Sequence, residues 1–216
     1  MKVSIIAIGD ELLIGQVVDT NSGFLARTMQ PEGWEVADVA VISDSAAEIR
    51  RAVSEALKRA DVVLTTGGLG PTRDDITKQT LCEIFGGTLR EDPDVTADII
   101  DVFRKRGLKL NSLTAAQALV PTSCRVIRNR VGTAPVMWFE TSDPRKVLVA
   151  MPGVPFETEH CFSREVFPRL LEAFPRRDAI DHRTFVVAGI TESDLAIRLE
   201  SFERDLPQAL HLAYLP

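Results

Sequence analysis

The chain has 216 residues, 45% of them hydrophobic and 26% charged, with a formal net charge of −6. That length suffices for an α/β domain of about 150 residues plus a smaller appendage, and the acidic balance gives no electrostatic footprint for a polyanion, so nucleic acid is not an expected partner. No run approaches the roughly 18 apolar residues that would span a bilayer. Cys82, Cys124 and Cys161 lack the pairing of a disulfide framework or the spacing of a thiolate zinc site, which fits a reducing cytoplasm.

Val3 to Ile8 reads as a continuous buried strand, followed at once by Gly9, Asp10 and Glu11 with no cleavage site of a signal peptide. A helix is predicted from Asp19 or Thr20, with Phe24, Leu25 and Met29 on one face. Trp34 to Ile42 reads as a second strand, and Ser43, Asp44 and Ser45 supply cap chemistry for a helix over Ala46 to Ala60. Asp61 to Thr66 makes a third strand, then TTGGLGPTRDD leads into a helix from about Asp74 to Phe85, stopped by Gly86 and Gly87. Three strand-to-helix units in succession predict a mostly parallel sheet covered on both faces.

Asp92-Pro93 opens a further helix to about Arg106, and Asn111 caps another running to Val120, so this stretch is predicted as a helical insertion. Arg125 to Ile127, Met137 to Glu140 and Lys146 to Met151 read as short strands, closed by a turn over Pro152 to Pro155 and a helix over Phe156 to Ala173. The first domain is therefore expected to span 1–173. After the linker FPRRD, residues 179–216 read as part of a small α+β domain, with a strand at Arg183 to Ala188, a helix capped near Thr191, and a strand at Ala209 to Tyr214.

Chemistry concentrates in the loops. Gly67, Gly68 and Gly70 permit close approach of main-chain amides to an anion, and the following helix start adds partial positive charge, so a phosphate suits this turn. It is neither a Walker A nor a GxGxxG sequence, and Asp74 with Asp75 would repel a phosphate. A divalent ion between the two removes the repulsion, because Mg²⁺ is commonly held by one or two carboxylates plus phosphate oxygens. Thr72 and Arg73 would add contacts to the phosphate. The plain alternative is a tight turn in which an aspartate only caps the helix. Loops leaving the carboxyl ends of parallel strands converge on one edge, so Glu11, Asp19, Asn21 and Asp44 should join the glycine loop there. The alternative for each alone is a helix cap or a solvated turn. NRVGTAP, from Asn129, and MPGVPFE, from Met151, form rigid turns, preferred on sequence physics as structural corners. No serine or cysteine triad pattern is evident. Cys82 is expected in packed core and His160 is not expected to act as a ligand.

In order and spacing, IIAIGDELLIGQVVDTN, TTGGLGPTRDDIT, NRVGTAP, MPGVPFE, ITESDLAIRLE and LAYLP resemble the N-terminal region of the CinA family of competence/damage-inducible proteins. That region is similar to the molybdopterin-binding domain of MogA, MoaB and MoeA. The resemblance covers essentially the whole chain. It implies a three-layer α/β/α fold and metal-dependent hydrolysis of the pyrophosphate in ADP-ribose to AMP and ribose 5-phosphate, with Mg²⁺, Mn²⁺ or Co²⁺ as cofactor. Asp75 then matches the essential aspartate after the glycine loop and Asp44 the acidic residue ahead of the second helix. These two would be catalytic, with Asp74, Asp75, Glu11 and Asp44 as metal ligands. Gly67, Gly68, Gly70, Thr72 and Arg73 would take phosphate, while Asp19, Asn21, Asn129, Gly132, Thr133, Gly153 and Glu157 would shape the nucleoside pocket. Val136 stands where many relatives have glycine, and its side chain is expected to narrow that pocket wall. Many members continue into a nicotinamide mononucleotide deamidase domain, a role that does not attach to the residues present. Alternatives are a molybdopterin-binding or adenylylating protein, and a non-catalytic nucleotide-binding module linked to competence. Expected partners are a small nucleotide and further copies of the chain, as a dimer or trimer, with no membrane.

Overall fold

The structure, a computed structural model, describes residues 1–72, 75–175 and 183–214. The chain divides into two compact units, Met1–Ile180 and Asp181–Pro216.

The first unit begins with β1 (Lys2–Ile8), whose run of apolar residues is buried from Val3 onward. A single helical turn, α1 (Asp10–Leu13), occupies what the sequence suggests as an open polar loop. Helix α2 (Thr20–Met29) starts where Asp19 caps it, accepting the Ser22 amide at 3.0 Å, and buries Leu25 and Met29. Next come β2 (Glu35–Ile42), α3 (Ala46–Arg59) and β3 (Val62–Thr66), the last buried throughout. Ser45 sits at the N-cap of α3 but its side chain makes no capping bond, and Asp44 is committed elsewhere.

Helix α4 (Thr77–Phe85) starts three residues later than the sequence predicts, because the Asp75 side chain is spent on the loop before the helix. The insertion is also less helical than expected. After β4 (Leu89–Glu91) and α5 (Pro93–Lys105), helix α6 (Ser112–Ala115) ends in a 3-10 turn at Ala116–Ala118. The chain then runs as β5 (Leu119–Pro121), paired antiparallel with β4. Pro121 disfavours helix at the residue before it, and a partner strand from 30 residues earlier completes the pairing.

Strands β6 (Arg125–Ile127), β7 (Val136–Ser142) and β8 (Arg145–Met151) finish the main sheet. Its order is β2-β1-β3-β8-β7-β6. The first four strands run parallel, β7 is antiparallel to β8, and β6 is antiparallel to β7, so β6 points the same way as the parallel four. Alternation along the strands sends Ile5, Leu64, Trp138 and Val149 to one face, against Leu25 and Met29 of α2 and the C-terminal helices. Ile6, Val63, Met137 and Leu148 face the other way, against Ile49 and Val53 of α3 and Leu81 of α4. The result is a three-layer α/β/α sandwich. Val136 is fully buried in the layer with α2, so it packs core instead of narrowing a pocket wall. Cys82 is buried in α4 as expected.

The closing helix is interrupted. Helix α7 (Pro155–Cys161) passes through a π turn at Phe162–Val166 into α8 (Phe167–Ala173). Pro168 lies just past that turn, and a widened turn gives its ring room against the preceding carbonyls. In the second unit, Thr191 caps α9 (Glu192–Arg204) by accepting the Asp194 amide at 3.2 Å. The strands predicted at 183–188 and 209–214 are not formed; neither segment has a paired strand among the described residues. Apolar composition alone does not make a strand without a neighbouring edge to bond to. Among the described residues, no helix is long and apolar enough to cross a membrane.

Candidate functional site

The carboxyl ends of β1, β2, β3, β6 and β8 share one edge of the sheet. β1 has β2 on one side and β3 on the other, so the loops after β1 and β3 part at a topological switch point, where open α/β sheets bind ligands. Among the described residues, five loops meet along this edge, at 9–11, 43–45, 67–72, 128–135 and 152–154.

The glycine loop is packed too closely for other residues. Gly67 has φ +98°, and a Cβ there would stand 2.1 Å from the Ile8 carbonyl oxygen. Gly153 lies against it, since a Cβ on Gly153 would come within 3.2 Å of the Gly67 Cα. A Cβ on Gly68, at φ +64°, would fall 2.0 Å from Thr77 Oγ1 and 3.3 Å from Asp44 Oδ1. Asp75 folds back over Gly70, accepting the Gly70 amide at 2.7 Å, the Thr72 amide at 2.9 Å and the Thr72 hydroxyl. Counting the N–H groups over 67–72 then isolates two of them. Gly67 donates to the Met151 carbonyl, Gly70 and Thr72 donate to Asp75, and Pro71 has none. Gly68 and Leu69 retain N–H groups with no acceptor among the described residues.

Carboxylates crowd the same place. Asp44 Oδ2 accepts the Asp10 amide at 3.0 Å, which joins the loops after β1 and β2. Burial pushes the Asp44 carboxyl above its ordinary range; the Asp10 amide opposes this, and the charges of Glu11, Asp10 and Asp75 push it further. Glu11 curls over Gly9 and faces a cavity of about 70 Å³. That cavity is bounded by Val17, Asp19, Asn21, Thr66, Gly67 and Gly153, among others. Asn21 donates from Nδ2 to the Gly153 carbonyl at 2.8 Å and keeps a buried Oδ1 with no donor among the described residues.

Asn129, Gly132 and Glu157 form a separate corner on this edge. Asn129 Oδ1 accepts the Val131 and Gly132 amides, and its Nδ2 donates to the Ala134 carbonyl and to Glu157 Oε2 at 2.7 Å. Glu157 leans on Gly132 where no Cβ would fit, and burial raises its pKa against the pull of the Asn129 amide and Arg106. These three, with half-buried Thr133, do not border the cavity, and their bonds are the ones that hold a rigid turn. Arg73 and Asp74 lie outside the described residues. Among the described residues, no three His, Cys, Asp or Glu side chains converge as a ready-made set of metal ligands.

Two residues of the edge carry no local sequence signal. Gln117, from the 3-10 turn after α6, donates from Nε2 to the Leu69 carbonyl at 3.0 Å. Lys78 of α4 in turn donates to the Gln117 carbonyl at 3.0 Å, and burial pulls its pKa down to about 8 against the opposing influence of Cys124 and Asp75.

Residues 4–172 match the family described as probable molybdopterin binding domain. The solved structure of CinA from Thermoplasma acidophilum superposes with a TM-score of 0.67 at 35% identity, covering 80% of this chain and 96% of that one. The chain belongs to the CinA family. A CinA-like protein from Flavobacterium psychrophilum is 42% identical over 219 residues, covering all of this chain and 51% of its own length. A putative competence-damage inducible protein from Levilactobacillus brevis is 37% identical over 199 residues, 48% of its length. The chain thus spans about half the length of the curated CinA relatives it matches. The molybdopterin biosynthesis enzyme MoaB from Thermus thermophilus shares the fold, with a TM-score of 0.53 at 20% identity over 80% of this chain and 92% of that one.

Proposed function

We propose that this chain is a metal-dependent pyrophosphohydrolase that cleaves ADP-ribose or a related nucleoside diphosphate compound. One observation carries the reading: the two unpaired amides of the glycine loop, Gly68 and Leu69, share the sheet edge with the carboxylates of Asp44 and Glu11. A phosphate on those amides stands beside like charge, and a hard cation between them turns repulsion into binding. The donor set fits such an ion. It is all oxygen, the charges of Glu11, Asp10 and Asp75 crowd Asp44, and Asp44 Oδ1 has no hydrogen-bond donor among the described residues. Asp44 and Glu11 would hold the ion, with the remaining ligands from water and substrate, as suits a cation of the Mg²⁺ type. When bound, it would offset charge on the phosphates and make a coordinated water more acidic.

The chain's own groups have distinct parts in this scheme. The Gly68 and Leu69 amides bind phosphate oxygen, while Asp75, with both oxygens engaged by the loop, acts by holding those amides in place. Asn21 and Asp19 border the adjoining cavity and would shape the space that takes the ribose. Three free cysteines support a cytoplasmic setting. The test is incubation of the purified chain with ADP-ribose and Mg²⁺, Mn²⁺ or Co²⁺, with AMP and ribose 5-phosphate as the expected products.

A second reading, molybdopterin binding or adenylylation, is favoured by the match of residues 4–172 to a family of that description. Appearance of an adenylylated pterin from molybdopterin and ATP, with ADP-ribose left intact, selects it. Tight nucleotide binding without product under any of the three ions selects a non-catalytic module.

A further inference from the structure

We propose that Gln117 is a positioning residue for the glycine loop, working opposite Asp75 on a single peptide bond; this rests on the reading that the loop amides bind phosphate. The peptide joining Leu69 to Gly70 is held at both of its polar groups. Its carbonyl accepts Gln117 Nε2 at 3.0 Å, and its N–H donates to Asp75 Oδ1 at 2.7 Å. A peptide plane has only these two polar groups, pointing in opposite directions. Bonds at both ends, to separate parts of the chain, stop it from rotating.

The two unpaired N–H groups lie immediately upstream. Gly67 is fixed by its bond to the Met151 carbonyl, and the plane after Leu69 is fixed by Gln117 and Asp75. Gly68 and Leu69 are therefore held between two anchored points, although Gly68 has φ +64° and a glycine's freedom to turn. Asp75 reaches the peptide from the loop's own far end. Gln117 reaches it from 48 residues away, out of the insertion, so the insertion is mechanically part of the site.

Gln117 is an unfavourable choice for packing alone. The residue is 2% exposed, and its Oε1 is buried with no donor among the described residues, a cost that an apolar side chain of the same size avoids. A polar residue kept at a loss of stability is expected where its remaining bond serves the site. Lys78 braces the Gln117 main chain from behind by donating to its carbonyl.

The experiment compares the full chain with Gln117→Met, which keeps length and loses the donor, and with Gln117→Asn, which keeps the amide but withdraws it from Leu69. Amide exchange by NMR is expected to rise about tenfold at Gly70, whose N–H shares the loosened peptide and is bonded to Asp75, in both variants, the loss of roughly one hydrogen bond. Amides of β1 and β3 should keep their wild-type rates. The dissociation constant for inorganic pyrophosphate with Mg²⁺ should weaken by a similar factor. Unchanged exchange at Gly70 overturns the proposal, as does faster exchange with unaltered pyrophosphate affinity. If the wild-type chain binds neither pyrophosphate nor ADP-ribose, the phosphate reading fails by itself. The exchange rate at Gly70 then decides whether Gln117 holds the loop.

Discussion

Asn21 and Gly153, 132 residues apart in the chain, are joined by a 2.8 Å hydrogen bond from the Asn21 side chain to the Gly153 carbonyl. The bond ties the first turn of α2 to the loop after β8, and Gly153 in turn lies against Gly67. Three segments of the binding edge thus depend on one buried amide. Asn21→Ala should cost about 1–2 kcal/mol, from the lost bond and the carbonyl left unpaired. Urea unfolding checks this, and a loss within error of zero would mean the three segments are held by other contacts.

Gly67→Ala is expected to be far more damaging. Its Cβ would stand 2.1 Å from the main-chain oxygen of Ile8, at the carboxyl end of β1, and φ is +98°. A loss above about 3 kcal/mol follows. Gly15→Ala is the control, because Gly15 also has positive φ, +72°, but has nothing within 4 Å of an added methyl. That variant should lose only about 1 kcal/mol. Equal losses in the two would show that backbone conformation alone, and not the approach of β1 to β3, makes Gly67 necessary.

Asp44→Asn should separate stability from function. The Asp44 carboxyl sits above its ordinary value of 3.8, so the ionised form is the disfavoured one in the folded state. Its cost is absent below the unfolded value near 3.8 and fully present above the folded value. Asparagine keeps an oxygen for the Asp10 amide and removes the charge. A gain of under about 1 kcal/mol is expected at neutral pH, discounted because the group is only partly buried, and the gain should vanish in acid. Thermal melts across pH 3 to 8 measure it, and a constant or opposite difference would contradict the carboxylate crowding.

Lys78 gives the opposite pH profile at the basic end. Burial lowers it from 10.5 to about 8, so the charged form destabilises the fold below that value. The cost is in force below about pH 8 and is relieved as pH rises towards 10.5. Relative to Lys78→Met, the wild-type chain should gain on the order of 2–3 kcal/mol between pH 7 and 10.5. Denaturant midpoints at several pH values provide the check. A flat difference would mean that the amine keeps its ordinary affinity for protons.

The features that residues announce locally are the ones the sequence reveals. Unbroken or alternating apolar runs mark β1 and β3, and Asp19, Asp92, Asn111 and Thr191 each accept a helix amide at the cap where chain pattern places them. The convergence of Glu11, Asp44 and the glycine loop follows from parallel order alone. What fails depends on distant partners. Helix α4 begins at Thr77 because Asp75 bonds back to Gly70 and Thr72 instead of capping it. Leu119–Pro121 is a strand because Leu89–Glu91 pairs with it. Gln117 lies in a stretch that reads as ordinary helix, and nothing near it in sequence points to Leu69. The segments at 183–188 and 209–214 have strand composition without a pairing edge among the described residues.

Asp75→Asn is a poor probe of the chemistry, since an amide nitrogen would oppose one of the donors that Asp75 now accepts. Asp44→Asn is cleaner, because the bond from the Asp10 amide survives. The most direct measurement is therefore release of AMP and ribose 5-phosphate from ADP-ribose by wild-type and Asp44→Asn chains, with Mg²⁺, Mn²⁺, Co²⁺ or chelator. The account predicts turnover by the wild type only with a divalent ion, and a fall of about 100-fold or more in a folded Asp44→Asn variant. No product from the wild type with any of the three ions, or equal turnover in the two chains, would contradict it.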